Sequence, residues 1–163
     1  DPLYPGRGLG SVLPEAVKAA GAVGVMLNHA EKPISLDVLA ETIKRADEVG
    51  LGTIVCADTV DDVKNIAKMA PNIIVAEPTD LIGTGKTSDS NYVTETIKTV
   101  EEINPDIMVL QGAGISNGAD VYNTIKLGAQ ATGTTSGIMK SDHPCDMVEE
   151  MIFNLRRAWD ELH

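Results

Sequence analysis

Short apolar runs alternate with longer amphipathic stretches along the chain, and this alternation constrains the fold more than any other sequence feature. The apolar runs predict strands at 23–27, 53–57, 73–76, 107–110 and 128–134. The intervening stretches predict helices at 13–20, 35–49, 60–69, 93–103, 119–127 and 145–162. Strands that alternate with helices are typical of repeated βα units, which build a parallel sheet covered by helices. The sequence therefore predicts a single α/β domain over residues 1–163.

The composition supports this fold class and argues against several functions. Hydrophobic residues make up 43% of the 163 residues and aromatic residues only 3%, so the core must be aliphatic, as in parallel α/β layers. The net charge of −11 argues against nucleic acid and anionic membranes as partners. No apolar run reaches membrane-spanning length and no signal-peptide pattern is present, so we expect a cytoplasmic protein.

The sequence contains no pattern typical of a metal or cofactor site. Its two cysteines, Cys56 and Cys145, have no metal-ligand spacing and are too few for a disulfide scaffold, which favours a reducing compartment. The HExxH motif, the serine nucleophile elbow and the long glycine-rich phosphate loop are all absent from the sequence. We therefore expect neither a metal nor a cofactor.

The apolar run Ile73–Ala76 is followed directly by a carboxylate, Glu77. Pro78 stiffens the backbone after it, and Gly83 and Gly85 provide the freedom that a hinge requires. An acid at the carboxyl end of a strand, below a loop with a glycine hinge, is a typical arrangement for a general base under a lid. The alternative is an ordinary turn with a solvated glutamate. We favour the general base.

Polar chemistry also follows three other predicted strands. His29 and Glu31 follow the first strand, and glycine-rich turns at 112–116 and 135–137 follow the last two. Such turns can hold a phosphate through backbone N–H groups, while a histidine can polarise an oxygen. His29 could instead be a structural histidine. Together with Glu77, these groups favour acid–base chemistry on a small anionic substrate.

Four motifs resemble those of the triosephosphate isomerase family, in the same order and at roughly the same spacing. They are Asn28-His29-Ala30-Glu31, Ala76-Glu77-Pro78 with Leu81-Ile82-Gly83-Thr84-Gly85, Gln111-Gly112-Ala113-Gly114-Ile115-Ser116, and Thr135-Ser136-Gly137. The chain is similar to the shorter archaeal-type branch from about residue 10 to residue 140. The resemblance implies a TIM barrel that interconverts dihydroxyacetone phosphate and glyceraldehyde 3-phosphate in glycolysis and gluconeogenesis, without a cofactor.

The resemblance also implies roles for individual residues. Glu77 matches the catalytic base, His29 the neutral electrophile and Glu31 a supporting acid. Residues 78–85 match the closing loop, called the lid below. The residues that match phosphate contacts are Ile82, Gly83, Gly114, Thr135 and Ser136.

The chain also departs from the family pattern. A TIM barrel has eight βα units, and the strands predicted here correspond to the fourth through the eighth. The first strand of the family carries an asparagine and a lysine, and that lysine contacts the substrate. No Asn-x-Lys strand is present here, and Lys86 is expected to be a surface residue rather than a replacement for the lysine. We therefore expect a truncated, partial barrel whose isolated activity is weak, and which forms a homo-oligomer through the open edges at 23–27 and 128–134.

Two other functions remain open from the sequence. One is a catalytically impaired partial barrel that binds phosphate and acts as an assembling scaffold. The other is a barrel lyase or synthase, which usually requires a lysine on an inner strand, and the predicted strands contain none.

Overall fold

The computed structural model of the protein describes residues 1–85 and 88–163. The expectation for Lys86 lies outside the described residues. Within them, five parallel strands form one sheet in the order β1-β2-β3-β4-β5. The strands are β1 (Gly24–Leu27), β2 (Gly52–Ala57), β3 (Ile73–Ala76), β4 (Met108–Gln111) and β5 (Ala131–Thr132). The predicted α/β class and parallel sheet are confirmed.

Helices connect the strands in the alternating order that the sequence predicts. They are α1 (Pro14–Ala19), α2 (Leu36–Glu48), α3 (Val60–Ala67), α4 (Ser90–Ile103), α5 (Gly118–Lys126), α6 (Ser136–Met139) and α7 (Pro144–Asp160). A 3-10 helix (Thr79–Leu81) lies in the lid. Among the described residues, no helix is long and apolar enough to cross a membrane.

One face of the sheet packs against helices and forms the main core. Val55, Ile74 and Val109 are register partners on β2, β3 and β4, and all three are almost completely buried. They pack in a cluster with Leu39 and Ile43 of α2 and with further aliphatic side chains of α3 and α4. The core is therefore aliphatic, as the composition predicts.

The opposite face of the sheet is more open. Met26, Ile54, Ile73 and Met108 are successive register partners across β1 to β4. Register partners point to the same face of a sheet, so these four side chains form one apolar row. The exposed fraction is 58% for Met26 and 47% for Met108. We call these four residues the inner row.

The last strand is much shorter than predicted. The predicted strand at 128–134 is observed as β5, Ala131–Thr132. Gly128 has a φ of 103°, which belongs to the turn that ends α5. The Gln130 side chain accepts the Val109 N–H at 2.7 Å, and the Gln130 backbone N–H donates to the Val109 carbonyl at 3.2 Å. The turn expected at 135–137 overlaps the short helix α6, which begins at Ser136.

Candidate active site

His29 lies two residues beyond the end of β1, in the turn that leads to α2. Its Nδ1 accepts the backbone N–H of Glu31 at 3.2 Å. An imidazole nitrogen that accepts an N–H carries no proton of its own, so a neutral His29 carries its proton on Nε2. That Nε2 lies 3.9 Å from Oε2 of Glu77. The structure therefore brings together the two residues that the sequence predicts as base and electrophile.

Glu77 follows β3 directly and is held by the neighbouring strand. Its backbone N–H donates to the carbonyl of Ala57, at the end of β2, at 2.9 Å. Its side chain is only 16% exposed. Burial raises the pKa of its carboxyl, and the proximity of His29 partly offsets that effect. A carboxylate in this environment is a stronger base than one on the surface.

Gly112 provides room for the Glu77 carboxyl. A Cβ at this position would stand 3.3 Å from Oε1 of Glu77 and 3.1 Å from Cγ1 of Val75. Both distances are tighter than ordinary van der Waals contact, so a larger residue would press on the carboxyl group. The first glycine of the turn at 112–116 is therefore part of the space that holds Glu77.

Glu31, predicted as a supporting acid, lies next to His29. Its carboxylate is 91% exposed and lies 3.9 Å from Nδ1 of His29. The close contact to that nitrogen comes from the Glu31 backbone N–H instead. In this structure, Glu31 therefore reaches His29 through its main chain, and its side chain faces solvent.

The two predicted phosphate turns lie against each other. A Cβ added to Gly137 would stand 2.5 Å from the carbonyl oxygen of Ile115 and 3.0 Å from the Cα of Ser116. Gly114 has a φ of 75°, which favours glycine at that position. Thr135 and Ser136 are the residue before α6 and its first residue.

The lid is anchored at its start and open at its tip. The Thr79 N–H donates to Oδ1 of Asp58 at 2.8 Å, which joins the lid to the end of β2. A Cβ added to Gly83 would meet no atom within 4 Å, and Ile82 is 38% exposed. A Cβ added to Gly85, at the end of the lid, would stand 3.5 Å from Oγ of Ser116, so this end lies near the turn at 112–116.

Three residues near the site were missed by the sequence analysis. Asp58 anchors the lid, and the Tyr92 hydroxyl donates to the Asp58 carbonyl at 2.8 Å. Cys56 is a buried neighbour of Glu77, and burial together with the Glu77 charge raises the pKa of its thiol to about 11. These roles depend on contacts between residues far apart in sequence, so the only sequence signal was their position near the end of a strand.

No cluster of potential metal ligands occurs among the described residues.

A parallel βα sheet with a carboxylate and an imidazole at the carboxyl ends of its strands is typical of the βα-barrel enzymes. The family model described as triosephosphate isomerase matches residues 5–151. The chain belongs to the triosephosphate isomerase family and is an isomerase of that type.

Similar proteins come from archaea. Triosephosphate isomerase of Sulfurisphaera tokodaii is 40% identical over 98% of this chain and 71% of its own length. The enzyme of Sulfolobus acidocaldarius is 39% identical over 96% of this chain and 69% of its own length. Among solved structures, thiamine phosphate pyrophosphorylase from Pyrococcus furiosus has a TM-score of 0.66 at 15% identity, covering 90% of this chain and 65% of that protein. That structural similarity supports the fold alone.

Proposed function

We propose that this chain interconverts dihydroxyacetone phosphate and glyceraldehyde 3-phosphate, a step of glycolysis and gluconeogenesis. The observation that carries the proposal is the 3.9 Å separation between Nε2 of His29 and Oε2 of Glu77 at the carboxyl ends of β1 and β3. Family membership supports the same reaction. A carboxylate and an N–H donor that face one space can act on adjacent carbon and oxygen atoms of a small substrate.

In the proposed mechanism, Glu77 is the base and His29 the electrophile. The Glu77 carboxylate removes a proton from the carbon next to the substrate carbonyl, and the carbonyl oxygen gains the negative charge of an enediolate. The Nε2–H of His29 stabilises that oxygen, and the proton of the adjacent hydroxyl passes to it through the imidazole. Glu77 then returns its proton to the former carbonyl carbon, and the former hydroxyl oxygen becomes the new carbonyl of the isomer. A glutamate base with a neutral imidazole is the known mechanism of this family. The Glu31 N–H at Nδ1 supports the required neutral tautomer.

Backbone groups are the proposed phosphate contacts. Gly114 and the pair Thr135 and Ser136 lie on turns that touch each other, so their N–H groups can face a common anion. Closure of the lid would bring Ile82 and Gly83 to the same anion. A chain with a net charge of −11 offers little general attraction to a phosphate, so local donors of this kind have to supply it.

We also propose that residues 1–163 form one cytoplasmic domain that associates with further copies. The inner row is partly exposed, and β1 and β5 are the edge strands of the sheet within the described residues. Exposed apolar faces and free strand edges favour association. The scaffold alternative shares this surface but requires no proton transfer.

Replacement of Glu77 tests the isomerase and the scaffold against each other. We expect Glu77→Gln to lower the rate at least about 10²-fold, because an amide cannot accept the substrate proton. The measurement is deuterium incorporation from D₂O into triose phosphate, followed by NMR. The control is Glu101→Gln, at an exposed position of α4.

Two results would contradict the isomerase. One is an unchanged rate in Glu77→Gln. The other is phosphate binding by the wild-type chain without deuterium incorporation, which would favour the scaffold.

A further inference from the structure

Asn28, the residue before His29, has an unusual backbone conformation and two long-range hydrogen bonds. We propose that Asn28 is a positioning residue that holds His29 in the orientation and tautomer required for the reaction. This inference rests on the proposed function, because it assigns the purpose of the contacts from the proposed role of His29.

The backbone at Asn28 changes direction at the end of β1. Its φ is 57°, in the left-handed region, where asparagine is tolerated better than most residues with a side chain. This conformation breaks the alternation of side chains along the strand, so the next residue does not continue the strand geometry. The direction of the His29 side chain is therefore set by the turn rather than by the sheet.

The Asn28 amide group closes that turn from both sides. Its Nδ2 donates to the carbonyl of Cys56 at 3.0 Å, and its Oδ1 accepts the N–H of Ile34 at 3.1 Å. A carbonyl can only accept and a backbone N–H can only donate, so the two partners together fix the orientation of the amide. The turn at 28–34 contains both the His29 ring and the Glu31 N–H that contacts it.

The two side-chain hydrogen bonds of Asn28 also fix the position of His29 relative to Glu77. Cys56 and Ala57 are consecutive residues at the end of β2, the strand between β1 and β3. The Cys56 carbonyl accepts from the Asn28 side chain, and the Ala57 carbonyl accepts from the Glu77 backbone N–H at 2.9 Å. Two adjacent carbonyls of one strand thus hold Glu77 and the residue that precedes His29. Their separation depends on this common support.

Two substitutions of Asn28 test its side-chain hydrogen bonds while the left-handed backbone conformation stays accessible. Asn28→Gly keeps access to the left-handed conformation and removes both side-chain hydrogen bonds. Asn28→Asp keeps an acceptor for the Ile34 N–H and removes the donor to Cys56. The matched control is Asn72→Gly, because Asn72 also bridges two strands of the sheet, through the Thr53 N–H at 2.7 Å, but at the opposite end.

The first readout does not depend on activity. Long-range ¹H–¹⁵N NMR of the imidazole rings reports which nitrogen carries the proton, and a His29→Gln spectrum assigns the signals of His29. We expect the Nε2–H tautomer in the wild-type chain and in Asn72→Gly. In Asn28→Gly and Asn28→Asp, we expect a mixture of tautomers, because the turn no longer holds the Glu31 N–H at Nδ1.

The second readout is isomerisation of triose phosphate. We expect Asn28→Gly to lower kcat by about 10- to 100-fold with little change in KM, since a displacement near 1 Å at a reacting group has an effect of that size and the phosphate turns are untouched. A pure Nε2–H tautomer in both Asn28 variants would overturn the inference whether or not the chain is active. Lack of activity in the wild-type chain, with the tautomer change present, would refute the proposed function and leave the positioning role standing.

Discussion

Burial determines the protonation of Glu77 more strongly than its neighbour His29 does. Burial raises the pKa of the carboxyl above its ordinary value of 4.5, and His29 opposes the shift with a smaller effect. A carboxyl group acts as a base only when it is deprotonated. The isomerisation rate is therefore expected to fall as the pH decreases through the raised pKa of Glu77, above 4.5. At that pH, an exposed glutamate would still be largely charged.

The same shift predicts the pH dependence of stability. The folded state binds the Glu77 proton more tightly than the unfolded state does, so the protonated carboxyl stabilises the fold. This stabilisation is fully present below the ordinary pKa of glutamate and is lost as the pH rises through the raised pKa. Glu77→Gln should therefore increase the free energy of unfolding relative to the wild type at pH 7 more than at pH 4. Urea unfolding at the two pH values measures the difference, with Glu101→Gln as control. An equal effect at both pH values would show that burial does not disfavour the Glu77 charge.

At the scale of elements, Arg45 joins α2 to the N-terminal segment. The side chain is almost completely buried, and its guanidinium donates to Glu48 at 2.6 Å and to the Leu3 carbonyl at 3.0 Å. It also pairs with Glu15 of α1 at 2.5 Å and stacks on the Tyr4 ring at 4.0 Å. A buried charge with several partners is costly to disrupt, because each removed contact leaves a polar group unpaired.

Replacement of Arg45 should therefore destabilise the chain. We expect Arg45→Met to lower the midpoint of thermal unfolding by several degrees, because Glu15 and Glu48 lose their common partner. Arg156→Met is the matched control, since Arg156 is 74% exposed and pairs with Asp160 within one helix. Equal, small shifts for the two variants, measured by circular dichroism, would mean that Arg45 contributes no more than a surface pair.

The sequence predicts elements well where local pattern decides them. The strand at 73–76 is found with the predicted bounds, because its apolar residues lie between clear turn signals. Asp89 accepts the Asn91 N–H, so α4 begins at Ser90 rather than at the predicted residue 93. This cap could have been read from the sequence, since aspartate is a preferred capping residue.

Long-range contacts explain what the sequence does not predict. A charged residue on an amphipathic helix is normally solvated, but the Leu3 partner of Arg45 is 42 residues away in the chain. Asn28 likewise finds Cys56 at a separation of 28 residues. The pairing of His29 and Glu77 was predictable because both follow parallel strands of the same sheet, and the carboxyl ends of such strands lie at one edge.

At the scale of the whole molecule, the accessible surface is larger than its mass predicts. The chain exposes 9397 Å² at 17.2 kDa. A folded monomer of this mass is expected to expose about 7,800 Å². The inner row accounts for part of the excess, and exposed side chains of α7 such as Phe153 (68% exposed) account for another part. An excess of about 1,600 Å² is as large as the total area buried in a standard protein interface.

The excess predicts association through the inner row. We expect sedimentation equilibrium at micromolar concentration to give a dimer or larger species, and Met108→Glu to shift it toward the monomer, since a carboxylate cannot be buried there without a partner. Met108 is 47% exposed, so the substitution is compatible with folding of the single chain. Phe153→Glu is the comparison on α7. Dissociation by Phe153→Glu with no effect of Met108→Glu would move the interface to that helix, and a monomeric wild-type chain would contradict association altogether.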